Sequence, residues 1–146
     1  MDLHKIYTEL LLNIGFSEED IQKKWETLKK EYSKKARHYH NLNHLKEMIA
    51  CYDESFSKLK FPNEVLYSIF YHDFIYSSSR KDNELKSAEY AIQILPKDAM
   101  IDEKMVFDMI LATIDHQCNG VDAPAICGDQ AGVPARAPSG IALVGP

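Results

Sequence analysis

Residues 70–76 read Phe70-Tyr71-His72-Asp73-Phe74-Ile75-Tyr76, a histidine and an aspartate side by side inside an apolar and aromatic run. The preceding Val65, Leu66, Ile69 and Phe70 predict a helix running into the pair. Burying an imidazole and a carboxylate is costly unless they are paired or bound to a cation. A divalent metal satisfies both at once, because neutral imidazole and carboxylate are ordinary ligands for such ions. Successive helical residues point about 100° apart. Within a helix, therefore, the pair can meet one ion only at the helix edge, with further ligands arriving from neighbouring elements. The plainer alternative is a histidine with Asp73 acting as a cap.

Upstream, Pro62 suits the first turn of that helix. Before it comes Arg37-His38-Tyr39-His40-Asn41-Leu42-Asn43-His44, with three histidines, an arginine and two asparagines in eight positions. Asn41 or Asn43 can cap a helix whose apolar positions are Leu45, Met48, Ile49, Tyr52 and Phe56. His44 then falls in the first turn of that helix and His40 in the loop before it. Surface polarity is the competing explanation for this histidine density, and His38 is read that way.

Downstream, Ser77-Ser78-Ser79-Arg80 breaks the pattern as a short polar loop. Asp82-Asn83-Glu84 opens another helix, with Leu85, Ala88, Ala91, Ile92 and Leu95 as its expected buried side and Pro96 as its stop. A last helix is expected from Asp102 to about His116, carried by Val106, Ile110 and Thr113 together with Phe107, Leu111 and Ile114. At the N-terminal end, Ile6 and Leu10 to Leu12 predict a first helix from about Asp2 to Asn13, stopped by Gly15. Ser17-Glu18-Glu19-Asp20 then looks like a cap followed by an acidic first turn. Behind it Ile21, Trp25, Leu28 and Tyr32 form the stripe of an amphipathic helix, with Lys23, Lys24, Lys29 and Lys30 mostly off that stripe. No stretch shows sustained strand alternation. The body is expected to be all-α, a bundle of five or six helices over residues 1–117.

Residues 118–146 differ in kind. They hold five of the six glycines and four of the six prolines, and no Lys, Glu, His, Met or aromatic residue. So little large apolar surface cannot offset the entropy of ordering, which predicts an irregular, poorly ordered C-terminal tail.

The 146 residues suffice for one domain with a single core. A net charge of −5 argues against broad nucleic-acid binding, which needs a positive field. The sequence has neither a membrane-length apolar run nor a basic leader followed by an apolar core, so a cytoplasmic location without membrane partners is expected. Cys51, Cys118 and Cys127 are odd in number and scattered, as reduced thiols would be.

Three blocks together carry a resemblance to a known family: RHYHNLNHLKEM at 37–48, FYHDFIYSSSRKDNELKSAEYA at 70–91 and LATIDH at 111–116. In that order they resemble the HD superfamily of metal-dependent phosphohydrolases, most closely its small bacterial branch of predicted phosphohydrolases. The resemblance implies an all-α bundle holding a divalent metal ion (Mn, Fe, Zn, Ni, Co or Mg) through a histidine, the His-Asp pair and a later aspartate. The histidine maps onto His44, with His40 as the alternative, and the pair onto His72 and Asp73. Arg37, His40, Glu84, Ser87 and His116 fall at motif positions that line the same pocket in that branch. The family's late aspartate lies in a further helix, where this chain has its Gly/Ala/Pro-rich tail, so no fourth protein ligand is assigned.

The expected chemistry is metal-assisted hydrolysis of a small phosphorylated metabolite or nucleotide. Arg37 can bind a phosphate bidentately or make a structural salt bridge. Glu84 can orient or deprotonate water, or simply favour the helix dipole as a first-turn acid. Ser87 and His40 are assigned to substrate binding and His116 to catalysis, although Ser87 also suits a small-residue helix contact. The competing expectation is a helical protein that binds a metal or ligand without turnover.

Overall fold

The computed structural model describes residues 1–34, 41–77 and 81–117, with the side chains of 113–117 left aside. Over these residues the chain forms helices α1 (Leu3–Ile14), α2 (Glu18–Tyr32), α3 (Leu42–Ser55), α4 (Pro62–Tyr71), α5 (Asn83–Gln93) and α6 (Glu103–Gln117), with a 3-10 turn at Phe56–Lys58. Among the described residues no strand forms, as the absence of alternation predicts. No helix there is long and apolar enough to cross a membrane. The expected disorder of residues 118–146 lies outside the described residues, as do Ser78, Ser79 and Arg80 of the polar loop.

Local chemistry sets the boundaries. The Asp2 side chain accepts the Lys5 N–H at 3.1 Å and starts α1. Gly15 ends it with φ of 121°, its N–H donating to the Leu12 carbonyl while the Phe16 N–H reaches Leu11. That is the paired bonding of a Schellman stop, which needs a left-handed residue where glycine has no Cβ penalty. Ser17 caps α2 through the Asp20 N–H, with Glu18, Glu19 and Asp20 in the first turn and Lys29 and Lys30 in the last. Both charge groups complement the helix dipole. The buried residues of α2 are Ile21, Trp25, Leu28 and Tyr32, the stripe read from the sequence.

The bundle is built around α4, which packs against α1, α3, α5 and α6. Its residues Val65 to Tyr71 are all buried. A helix buried on every side is apolar nearly all round; here only Ser68 lacks a large apolar side chain, and the hydroxyls of Tyr67 and Tyr71 are hydrogen-bonded. Helix α6 starts beside the first turn of α4, where Glu64 Oε2 accepts the Asp102 N–H at 2.8 Å. Asp102 in turn accepts the Met105 N–H.

Four expectations change. Leu12 is exposed, because α1 buries Leu3, Tyr7, Leu10, Leu11 and Ile14. Phe56 is not a buried position of α3; it opens the 3-10 turn and is exposed, with its ring edge-on to Tyr52. Leu85 is likewise exposed, because α5 buries Glu84, Ser87, Ala88 and Ala91 instead. Positions three and four apart share a helix face, and this face of mostly small side chains lets α5 lie close to α4 and α6. Finally, α4 ends at Tyr71, so His72 and Asp73 follow the helix and are not inside it. Thr113 and Ile114 of the expected α6 face lie among the side chains left aside.

Candidate metal centre

The end of α4 shows why His72 is placed as it is. The last carbonyls of a helix have no intrahelical donor and must find other partners. Here the Ile69 carbonyl accepts from His72 Nδ1 at 2.8 Å and the Phe70 carbonyl from the Tyr32 hydroxyl at 2.8 Å. The Tyr71 carbonyl accepts the Phe74 N–H at 3.1 Å, an i to i−3 bond that tightens the chain. His72 N–H still donates to Ser68 at 2.8 Å. The histidine therefore completes the final turn and caps it with its own ring, and Asp73 begins the tight turn beyond.

This bonding selects a tautomer. A carbonyl oxygen can only accept, so Nδ1 of His72 carries the proton and Nε2 of the neutral ring is an acceptor. That Nε2 lies 3.0 Å from Asp73 Oδ2. Two acceptors at this distance need a proton between them, on the ring or on the carboxyl, or a metal ion that both can ligate. The pattern of Nδ1–H on a backbone carbonyl with Nε2 turned to the site is the usual arrangement of a metal-binding histidine.

His44 arrives from the other side on α3. Asn41 caps that helix, its Oδ1 accepting the N–H groups of Asn43 at 3.0 Å and His44 at 3.2 Å. The cap thereby fixes His44 in the first turn, facing α4. His44 Nε2 lies 3.9 Å from the same Asp73 Oδ2, and the two imidazole centroids are 5.8 Å apart. One ligand atom each from His44, His72 and Asp73 lie within 4.8 Å of one another. These residues are 5%, 1% and 4% exposed. Two ligands at 2.0–2.2 Å from one ion stand at most about 4.4 Å apart, so a small inward side-chain movement fits the group to an ion. Two nitrogens and one carboxylate oxygen suit a divalent transition metal.

The other expected site residues fall into two groups. Glu84 is buried in the first turn of α5, and Ser87 is fully buried one turn later on the same face. The Ser87 hydroxyl accepts the Ile75 N–H at 3.0 Å and donates to the Ile75 carbonyl at 3.3 Å. Arg37 and His40 lie outside the described residues, and His116 is in α6 with its side chain left aside. Asn83, read from the sequence only as a helix opener, has a second engagement. Its Oδ1 accepts the Ser77 N–H at 3.3 Å and its Nδ2 donates to the Ser77 carbonyl at 2.9 Å. The spacing of Asn83 and Ser87, four residues apart on one helical face, was the available sign of this pairing.

Comparison with protein-family models, with curated proteins and with solved structures yields no match.

Proposed function

We propose that this chain is a divalent-metal-dependent phosphohydrolase of the HD kind, acting on a small phosphorylated metabolite or nucleotide. One observation carries the reading: His44, His72 and Asp73 meet in the core, with the acceptor Nε2 of His72 turned onto a carboxylate oxygen. His44 and His72 supply neutral nitrogen ligands, and Asp73 supplies the negative charge that a divalent ion requires in a buried place. When bound there, such an ion polarises a phosphoryl oxygen and brings the pKa of a water towards neutrality. Glu84 would serve as the general base that accepts the proton of the attacking water. Arg37 and His40 are assigned to the phosphate and His116 to the catalytic group, all by resemblance to the family's motifs.

The decisive experiment is hydrolysis of p-nitrophenyl phosphate with added Mn²⁺ or Ni²⁺. Activity that disappears on chelation and in His72→Ala supports the proposal. Metal binding with no turnover of phosphate esters favours the second reading, a metal- or ligand-binding protein without catalysis. That reading draws on the size of the ligand group, which among the described residues has three members.

A further inference from the structure

We infer that Asn83 and Ser87 are positioning residues for this site, clamping the segment that follows Asp73 so that the His72-Asp73 pair and Glu84 keep a fixed register. The inference rests on the metal-site reading above. Each clamping side chain gives one donor and one acceptor to the backbone of one residue, Ser87 to Ile75 and Asn83 to Ser77. A neighbouring antiparallel strand would offer the same pairing. The geometry allows it because residues four apart on a helix are about 6 Å apart along its axis. Residues two apart in an extended chain stand about 6.6 Å apart. The order is antiparallel, with 75 facing 87 and 77 facing 83, so one register satisfies both ends.

This clamp bears directly on the metal ligands. Ile75 is two residues beyond Asp73, and a fixed Ile75 backbone leaves the intervening peptides little freedom to swing the carboxylate. Phe74 is held as well, stacked on Tyr90 of α5 at 4.4 Å and 9°. Glu84 lies between Asn83 and Ser87 on the buried side of α5. The first turn of α5 cannot slide along residues 75–77 without breaking both ends of the clamp, so the register of Glu84 to Asp73 is set by the same four bonds. Ser87 spends its only donor on the Ile75 carbonyl, which ties its hydroxyl to the backbone of this segment. The Asp82 side chain makes no capping bond at the start of α5, and Asn83, a residue type suited to capping, turns back to Ser77 instead.

The test uses the full chain and Co²⁺ alone, titrated by visible absorption into wild type, Asn83→Ala, Ser87→Ala and His72→Ala. Amide exchange at residues 75 and 77 is measured on the metal-free proteins. The expected result is Co²⁺ binding by wild type, loss in His72→Ala, and affinity about 10- to 100-fold weaker in the two clamp variants, the usual effect of removing an outer-shell partner. Exchange should rise at 75 in Ser87→Ala and at 77 in Asn83→Ala. A purely structural role would lower the thermal midpoint while leaving Co²⁺ affinity unchanged at temperatures where the variants are folded. That outcome overturns the positioning role and leaves the metal reading intact. Wild type that binds no Co²⁺, or His72→Ala that binds as tightly as wild type, overturns the metal reading and the positioning role together. Asn83 is only half-buried, so its variant decides the matter if Ser87→Ala fails to fold.

Discussion

The hydroxyls of Tyr7 and Tyr71 lie 2.6 Å apart in the core, joining α1 to the last residue of α4 across 64 positions of sequence. Both side chains are fully buried. Tyr7 also meets Phe70 edge-on and tilts against Trp25, so the pair sits where three helices come together. Its energetics should be non-additive. Removing one hydroxyl strands the other without water, at a cost of about 1–3 kcal/mol. Removing both leaves an apolar contact of nearly unchanged shape. Tyr7→Phe and Tyr71→Phe should each destabilise the protein, and the double variant should be more stable than the sum of the two losses implies. Urea unfolding of the four proteins gives the coupling, and simple additivity would show that the two hydroxyls do not depend on each other.

The same burial sets an alkaline limit. Burial is the largest influence on Tyr7 and Tyr67 and holds both phenols above their ordinary range. The unfolded chain releases these protons near pH 10, whereas the folded chain retains them. The unfolded state thus binds fewer protons above pH 10, and stability falls as pH rises from there. Below pH 10 this contribution is fully present. Of the eight tyrosines, Tyr7, Tyr67 and Tyr71, whose phenol burial also holds well above its ordinary range, should ionise only as the protein unfolds. Absorbance at 295 nm followed together with far-UV circular dichroism should show a late ionisation step coinciding with loss of helix. Smooth titration of all eight with the helices intact would contradict it.

Much of this architecture was legible because it is local. Ser17 before an acidic turn, and Ile21, Trp25, Leu28 and Tyr32 at helical spacing, describe α2 without help from the rest of the chain. Gly15 likewise declares its stop, and the sequence narrows the cap of α3 to Asn41 or Asn43, of which Asn41 makes the bonds. What the sequence hid depends on tertiary partners. Leu85 looks like a core residue by hydropathy, yet α5 buries the face that carries Glu84, Ser87, Ala88 and Ala91, because small residues permit close helix packing. The pattern of apolar residues also carries α4 through His72 and Asp73. Its actual end is fixed by Tyr32 on the Phe70 carbonyl and by the clamp on Ile75, contacts that reach back to α2 and forward to α5. The meeting of His44 with His72 and Asp73 was readable only through the combination of motifs, since neither segment alone places its side chains.

Asn41 links helix capping to the site. Replacing it with Ala removes the acceptor for the Asn43 and His44 N–H groups, and loss of such a cap costs about 0.5–2 kcal/mol. Because His44 sits in the turn that the cap holds, Asn41→Ala should also weaken metal binding, whereas an equally destabilising change at the exposed start of α2, Ser17→Ala, should not. Thermal unfolding and Co²⁺ titration of the two variants distinguish a local effect on His44 from general loss of stability. Equal Co²⁺ affinity in both would detach the cap from the site.

Under the proposed function, variants of Glu84 should separate hydrolysis from metal binding. His72→Ala and Asp73→Ala each remove a member of the ligand group and should abolish Co²⁺ binding and hydrolysis together. Glu84 belongs to α5 and is not in that group, so Glu84→Ala should keep the metal while slowing hydrolysis by about 10²–10⁴-fold, the usual contribution of a positioned acid or base. Its effect on stability should be small or favourable, because a buried carboxylate is costly in the folded chain. The competing role is that of an acid near the start of a helix, worth roughly 0.3–1 kcal/mol through the dipole. Under that role, Glu84→Ala would lower the thermal midpoint with turnover unchanged. Glu84→Gln sharpens the comparison, since it keeps the shape and hydrogen-bonding capacity but cannot accept a proton at neutral pH. Turnover lost in both variants, with Co²⁺ affinity and unfolding midpoint close to wild type, assigns the proton to Glu84; turnover retained in Glu84→Gln removes it from that role.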